Sequence, residues 1–298
     1  MRLPRLAAAT TALPLLALGL AACSSSSAPA NSAAASTNAT EPHRIVSLSP
    51  TATEDLFAIG AGSQVVAVDK DSNYPSNAPK TTLDPITPNV EAILKYSPDL
   101  VVASEDSNGL AAALKKVGVA VLIEPAANTL NDAYTQIERL GAATGHVSSA
   151  DSTVTTMKSE IATAVRQAGS KHTDLSYYWE LDPTYYSATS STFIGQIMGL
   201  FGLKNIADKV DKAADGGYPQ LSSEYIVQSS PSIVFLADTV CCGASATSVA
   251  ARPGWSGIVA VKVDDVVSLD DDVASRWGPR LPQLVEAIAA AVEKAPAK

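Results

Sequence analysis

Cys241 and Cys242 stand side by side in a chain that holds only one other cysteine, Cys23. A thiol does chemistry as a nucleophile, as a metal ligand or as half of a disulfide, and each use needs a different neighbourhood. Three readings of the adjacent pair stay open: a disulfide between neighbours, two buried free thiols, or a contact to a ligand. Adjacent residues hold their Cα atoms about 3.8 Å apart, below the usual span of a disulfide. The histidines, His43, His146 and His172, are far apart along the chain. Zinc and manganese sites need clustered imidazoles and carboxylates, so no metal site is expected. The run Asp270-Asp271-Asp272 could gather a cation, but three successive carboxylates are read as a solvated loop. A Gly-x-Ser-x-Gly elbow, a phosphate loop ending in Gly-Lys-Ser/Thr and paired Cys/His spacings do not occur. Gly60-Ala61-Gly62 follows a predicted helix instead of a strand, which is a poor dinucleotide fingerprint. The chain therefore reads as a binder without a cofactor, not as an enzyme.

The net charge of −9 argues against nucleic acid, since phosphate binding needs clustered Lys and Arg. The first residues carry an address. Arg2 and Arg5 precede the apolar stretch Leu6 to Leu18, which is too short for a membrane span and fits a secretory signal. Leu20-Ala21-Ala22-Cys23 follows and resembles a bacterial lipobox. That resemblance implies removal of residues 1–22, an acyl chain such as palmitate on Cys23, and an extracytoplasmic, membrane-anchored protein. The segment 23–42, rich in Ser, Ala, Asn, Thr and Pro, cannot bury enough apolar surface to fold and is read as a disordered tether.

From residue 44 short β-branched runs alternate with amphipathic stretches, the pattern of parallel α/β architecture. Strands are predicted at Ile45–Leu48, Val65–Val68, Leu100–Ala103 and Val119–Ile123, with helices starting near Thr51, Val90, Asn108 and Thr129. Thr51-Ala52-Thr53-Glu54 fits a capping box. A second series has strands near Leu175–Trp179, Ile233–Ala237 and Val263–Leu269. Between the two, Val154, Met157, Ile161, Val165 and Ala168 recur at spacings of three and four, one apolar face of a long helix. The expected organisation is a lobe over 43–146, a single linking helix over 147–169 and a second lobe over 170–298.

The two lobes share a repeat. Asn89-Val90-Glu91 leads through Ile93 and Ser97-Pro98 into an apolar strand. Ser222-Ser223-Glu224 leads through Ile226 and Ser230-Pro231 into another, in the same register. Each carboxylate, Glu91 and Glu224, falls at a helix start, where it complements the dipole.

The segment Arg44-Ile45-Val46-Ser47-Leu48-Ser49-Pro50-Thr51-Ala52-Thr53-Glu54 through Ala61-Gly62 resembles the opening of the cobalamin- and ferric-siderophore-binding proteins of ABC importers. Asn73-Tyr74-Pro75, the two Glu segments and Pro279-Arg280 are similar to that family as well, and the resemblance spans about residues 43–292. It implies two Rossmann-like lobes joined by one backbone helix, a monomer that docks on an ABC permease dimer, and a ligand held between the lobes. It further implies that Glu91 and Glu224 meet the two permease subunits. Tyr74 matches a cleft aromatic of the cobalamin-binding branch; Trp179, Tyr185, Tyr186, Tyr218 and Trp277 fall in or near other cleft loops. Arg276 aligns with a cleft arginine and is expected to meet a phosphate or carboxylate. The ligand so implied is cobalamin, with a ferric siderophore or haem as alternatives. Where cobalamin-binding relatives carry a tryptophan before the first docking helix, this chain has Thr82-Leu83-Asp84-Pro85-Ile86.

Overall fold

The computed structural model describes residues 41–295 apart from 170, 171 and 173. The signal segment 1–22, the lipidation site Cys23 and the tether up to residue 40 lie outside the described residues. Four strands, β1 (Ile45–Leu48), β2 (Val65–Val68), β3 (Leu100–Ala103) and β4 (Ala120–Ile123), form a parallel sheet ordered β2-β1-β3-β4. Four more, β5 (Ser176–Glu180), β6 (Lys204–Asn205), β7 (Ile233–Leu236) and β8 (Val266–Ser268), form a second parallel sheet ordered β6-β5-β7-β8. The two sheets therefore share one topology.

Side chains alternate across a strand, and here the alternation sorts residues between cores. Ile45, Leu100 and Val102 of the first sheet and Tyr177, Trp179, Ile233 and Phe235 of the second belong to one continuous apolar cluster. Their neighbours face away into two private cores, Val46, Leu48, Val101 and Ala103 in one and Tyr178, Val234 and Leu236 in the other. Several helices complete the shared cluster, and two contribute long apolar faces to it. Val154, Met157 and Ile161 come from the 21-residue helix Val147–Gln167, which covers most of the expected 147–169. Leu284, Val285 and Ile288 come from the C-terminal helix Leu281–Lys294. Full burial of a Val, Met or Ile side chain contributes roughly 1.5–3 kcal/mol. A charge at Ile161 would remove that and disrupt the seam between the lobes.

Some local expectations are corrected. The box at Thr51 does not form. Helix Pro50–Ala58 starts one residue earlier, capped by Ser49 Oγ, which accepts from the Ala52 amide at 3.3 Å. Pro50 takes the first position, where its fixed φ fits and its missing N–H costs nothing. Glu54 is thereby released from capping. The run Val263–Leu269 shortens to β8 because Val259–Lys262 is a helical turn ending at Val263. The two-residue β6 carries no apolar run to announce it, and Asn205 Nδ2 ties it to the Tyr177 hydroxyl at 2.7 Å. Among the described residues, no helix is long and apolar enough to cross a membrane.

Candidate ligand-binding cleft

Parallel strands deliver their following loops to one edge, and ligands of open α/β sheets bind there. Four strands do so here. Ala126 and Ala127 after β4, Leu181 after β5, Ala237 and Cys241 after β7, and Asp271, Arg276 and Trp277 after β8 line one cavity of about 380 Å³. Phe193, Ile194 and Tyr218 close it from the second lobe. The volume falls within the range of small-molecule sites, and the lining is mostly apolar, as such sites are.

Of the seven residues expected in the cleft, Tyr218, Arg276 and Trp277 meet there. Trp277 Nε1 donates to Gln136 Oε1 at 2.8 Å, and Gln136 Nε2 donates to the Pro125 carbonyl at 2.6 Å, so the indole is held against the first lobe. Tyr218 is 47% exposed, with its ring free to receive a ligand.

The other four lie elsewhere. Trp179 is fully buried, stacked near Phe235 at 5.8 Å between centroids, because its position on β5 points into the shared core. It does not reach the cleft. Tyr185 packs on Trp255 at 5.7 Å and under the Arg252 guanidinium at 5.4 Å, inside the second lobe's private core. Tyr186 is half-exposed and pairs through its backbone with Gln220. Tyr74 lines a separate cavity with Phe57, Pro75 and Pro279, and Arg280 lies 4.3 Å over its ring.

Arg276 was expected to be free for an anion. Instead its Nη1 donates to Glu54 Oε1 (2.7 Å) and Asn73 Oδ1 (2.9 Å). Its Nη2 donates to Asp272 Oδ1 (2.6 Å) and the Asp71 carbonyl (3.2 Å). Arg280 grips the same Glu54 at 2.6 and 2.8 Å, and that contact pushes the Arg280 guanidinium pKa up. Glu54 sits on the first lobe and both arginines follow β8, so a buried ionic cluster ties the lobes together beside the cleft.

The Asp run is neither a loop at large in solvent nor a cation site. Asp270 caps the helix Asp271–Ser275, accepting from Val273 N at 3.0 Å. Asp271 accepts from the amides of Val240 (2.9 Å) and Cys241 (2.7 Å), and Asp272 pairs with Arg276. Cys241 and Cys242 form a disulfide on the exposed turn Thr239–Cys242, which removes the reading as buried thiols; Cys241 also lines the cavity. His146 Nδ1 and His172 Nε2 each bond a backbone carbonyl at 2.8 Å. Among the described residues no group of three or more His, Cys, Asp and Glu could hold a metal.

Sequence reading did not place Glu180, Asp238 and Asp55 among the buried acids, which also include Glu54, Asp69, Glu124 and Asp265. Glu180 is fully buried and takes a bidentate grip from Arg252 at 2.6 Å on both oxygens. Asp238 is fully buried with both oxygens unpaired among the described residues. Burial first, and then the Glu180 charge, push it up to about 6. Asp55 lies under Gly278, and burial raises its carboxyl well above the ordinary range. Glu180 closes β5, Asp238 follows β7 and Asp55 sits within the helix Pro50–Ala58, and no sequence pattern marks them as buried.

Away from the cleft, the repeat is expressed in three dimensions. Asn89 Oδ1 accepts from Ala92 N at 2.9 Å, and Ser222 Oγ accepts from Tyr225 N at 3.1 Å. Glu91 in Val90–Leu94 and Glu224 in Ser223–Ser229 each hold the second helical position and are exposed. Ile93 and Ile226 are each fully buried, and Ser97 and Ser230 each turn with positive φ, 48° and 42°.

The chain is 34% identical over 261 residues to YvrC, an ABC transporter substrate-binding lipoprotein of Bacillus subtilis, covering 85% of this chain and 80% of the relative. It is 30% identical over 252 residues to a cobalamin-binding protein of Halobacterium salinarum, covering 81% of this chain and 67% of that one. A crystal structure from Staphylococcus epidermidis, described as a possible iron-binding (periplasmic solute-binding) protein, superimposes with a TM-score of 0.72 at 26% identity, covering 85% of this chain and 99% of that chain. With residues 45–273 matching the family described as periplasmic binding protein, this chain, with its two like-ordered sheets and a cleft at their strand ends, belongs to that family of solute-binding proteins.

Proposed function

We propose that this chain is a lipid-anchored, extracytoplasmic carrier that captures cobalamin between its lobes and delivers it to an ABC permease dimer. One observation carries the ligand class: the cavity at the strand ends is apolar, with an aromatic on each side and every charged lining group already satisfied. Apolar walls with Tyr218 and Trp277 suit the face of a flat macrocycle, and rim amides find hydrogen bonds rather than ions. A cavity of about 380 Å³ seats one edge of such a ligand and leaves the remainder between the lobes. The cobalamin-binding name of the Halobacterium relative supports the choice. The lipobox-like ending at Cys23 and the lipoprotein name of the Bacillus relative support the anchor.

Glu91 and Glu224 are the proposed docking carboxylates, one from each lobe, the lobes being 43–146 and 170–298 with the helix between them. Both keep an exposed carboxylate at a helix start, where charge complementarity fixes orientation and on-rate. A ferric siderophore or haem is the second reading, favoured by the iron-binding description of the Staphylococcus neighbour. A ligand-sensing receptor without transport would use the same cleft and leave both glutamates dispensable.

Titration with cobalamin, a ferric hydroxamate and haem, followed by tryptophan fluorescence, tests the ligand. Trp179 and Trp255 are fully buried, so Trp277 is the reporter at the cleft. Saturable quenching by cobalamin at micromolar concentrations, lost in signal when Trp277 becomes Phe, is expected. No response to any of the three ligands would remove the assignment.

A further inference from the structure

Among the described residues, Arg276 is the one cationic side chain lining the cleft cavity, and its guanidinium is spoken for. A guanidinium offers five N–H donors, four of them on the two Nη nitrogens. All four of those have acceptors here: Glu54 and Asn73 on Nη1, Asp272 and the Asp71 carbonyl on Nη2. Binding a carboxylate in bidentate fashion needs two parallel N–H groups, and none remain as a pair. The charge is cancelled as well as the donors. Glu54 and Asp272 stand against Arg276 and Arg280, two carboxylates to two guanidiniums. The Arg276 side chain is 9% exposed and that of Glu54 1%, so solvent screens this pairing little. The other charged lining residue, Asp271, already accepts two backbone amides. An anionic ligand group entering this cavity would lose its water and find no free cation among the described residues.

We propose that Glu54 and Asp272 set the specificity of the cleft by occupying Arg276, so that the site takes a ligand rimmed by amides and rejects one rimmed by carboxylates. The proposal deepens the function proposed above and rests on the same cleft. Neither acid needs to touch the ligand; each acts by withholding the arginine. Neutralising either one leaves net positive charge at the cavity wall and weakens the hold on the Arg276 donors, since an amide oxygen accepts less strongly than a carboxylate.

Two corrinoids provide a matched pair. Cobinamide carries amides throughout, and cobyric acid has one free carboxylate in place of one amide. Wild-type protein, Glu54→Gln and Asp272→Asn are titrated with both, and each variant is checked for folding by thermal denaturation. The wild type should prefer cobinamide. Glu54→Gln should move the affinity ratio toward cobyric acid by roughly tenfold, the size expected of one regained charge-assisted hydrogen bond. Asp272→Asn, whose side chain is 35% exposed and safe to change, should shift the ratio in the same direction by less. If Glu54→Gln does not fold, Asp272→Asn decides. An unchanged ratio in the folded variants overturns the proposal, and so does wild-type protein that binds cobyric acid as tightly as cobinamide. If the wild type binds neither corrinoid, the cobalamin reading falls by itself, and the same variants are scored on haem. Haem carries two carboxylates and should then gain affinity in both variants; no gain overturns the specificity role independently.

Discussion

The two Glu-bearing helix starts and the two rims of the cleft are built by the same pair of lobes, yet they differ in kind. At Asn89–Ser97 and Ser222–Ser230 the cap, the exposed carboxylate, the buried isoleucine and the left-handed serine coincide position by position. At the cleft the first lobe offers Ala126 and Ala127, while the second offers Tyr218, Cys241, Arg276 and Trp277. On the docking proposed above, a surface that meets two similar partners would gain from staying alike, and one that meets a single irregular small molecule would gain from diverging. The shared core beneath both does not need to choose, and its period-2 alternation is kept in each sheet.

The sharpest way to break this comparison is to reverse both matched carboxylates. Glu91→Lys with Glu224→Lys should abolish uptake in cells while leaving ligand affinity of the isolated protein unchanged. Truncating one partner of a buried charge pair costs about 2–5 kcal/mol at an interface, and reversal costs more. Normal uptake with both reversed would sink the symmetric role.

A smaller effect separates the tyrosines. Tyr218→Ala should weaken the ligand at least several-fold, since stacking contributes about 0.5–1.5 kcal/mol beyond area burial. Tyr74→Ala should weaken it less, because Tyr74 faces its own cavity and Arg280. Equal losses measured by titration would place Tyr74 in the cleft after all.

The smallest effect lies in pH. Asp238 and Glu105 occupy equivalent positions after β7 and β3, fourteen residues past Glu224 and Glu91 respectively. Glu105 is exposed and Asp238 fully buried. Burial raises Asp238 from 3.8 to about 6, so the folded state holds a proton that the unfolded chain has released. Its contribution to stability is therefore present below about pH 4 and is lost as pH rises to about 6. Asp238→Asn should flatten that part of the slope in thermal denaturation across pH, with a residue left by Asp265, also raised to about 6. An unaltered slope in Asp238→Asn would contradict the buried-acid account.

Much of this was legible in the chain because it is local. Alternation and helical spacing announced seven of the eight strands and the linking helix, and the repeat announced that Glu91 and Glu224 would share one setting. What was not legible depends on partners far away. Glu54 reads as a capping residue until Arg276 and Arg280, 222 and 226 residues on, reach it. Trp179 reads as a loop aromatic because Ser-Tyr-Tyr-Trp-Glu carries large groups on both faces, and only the sheet decides which face meets the shared core. Tyr74 and Tyr218 look alike in sequence and open onto different cavities.

On the proposed function, a ligand lodges in the asymmetric strand-end cleft and leaves the matched outer helices untouched. Hydrogen exchange with and without saturating cobalamin tests it most directly. Amides around Ala126–Ala127, Tyr218, Ala237–Gly243 and Asp271–Trp277 should gain protection, and those of Asn89–Ser97 and Ser222–Ser230 should exchange at unchanged rates. Protection centred on the Glu91 and Glu224 helices, with none at the strand ends, would contradict it.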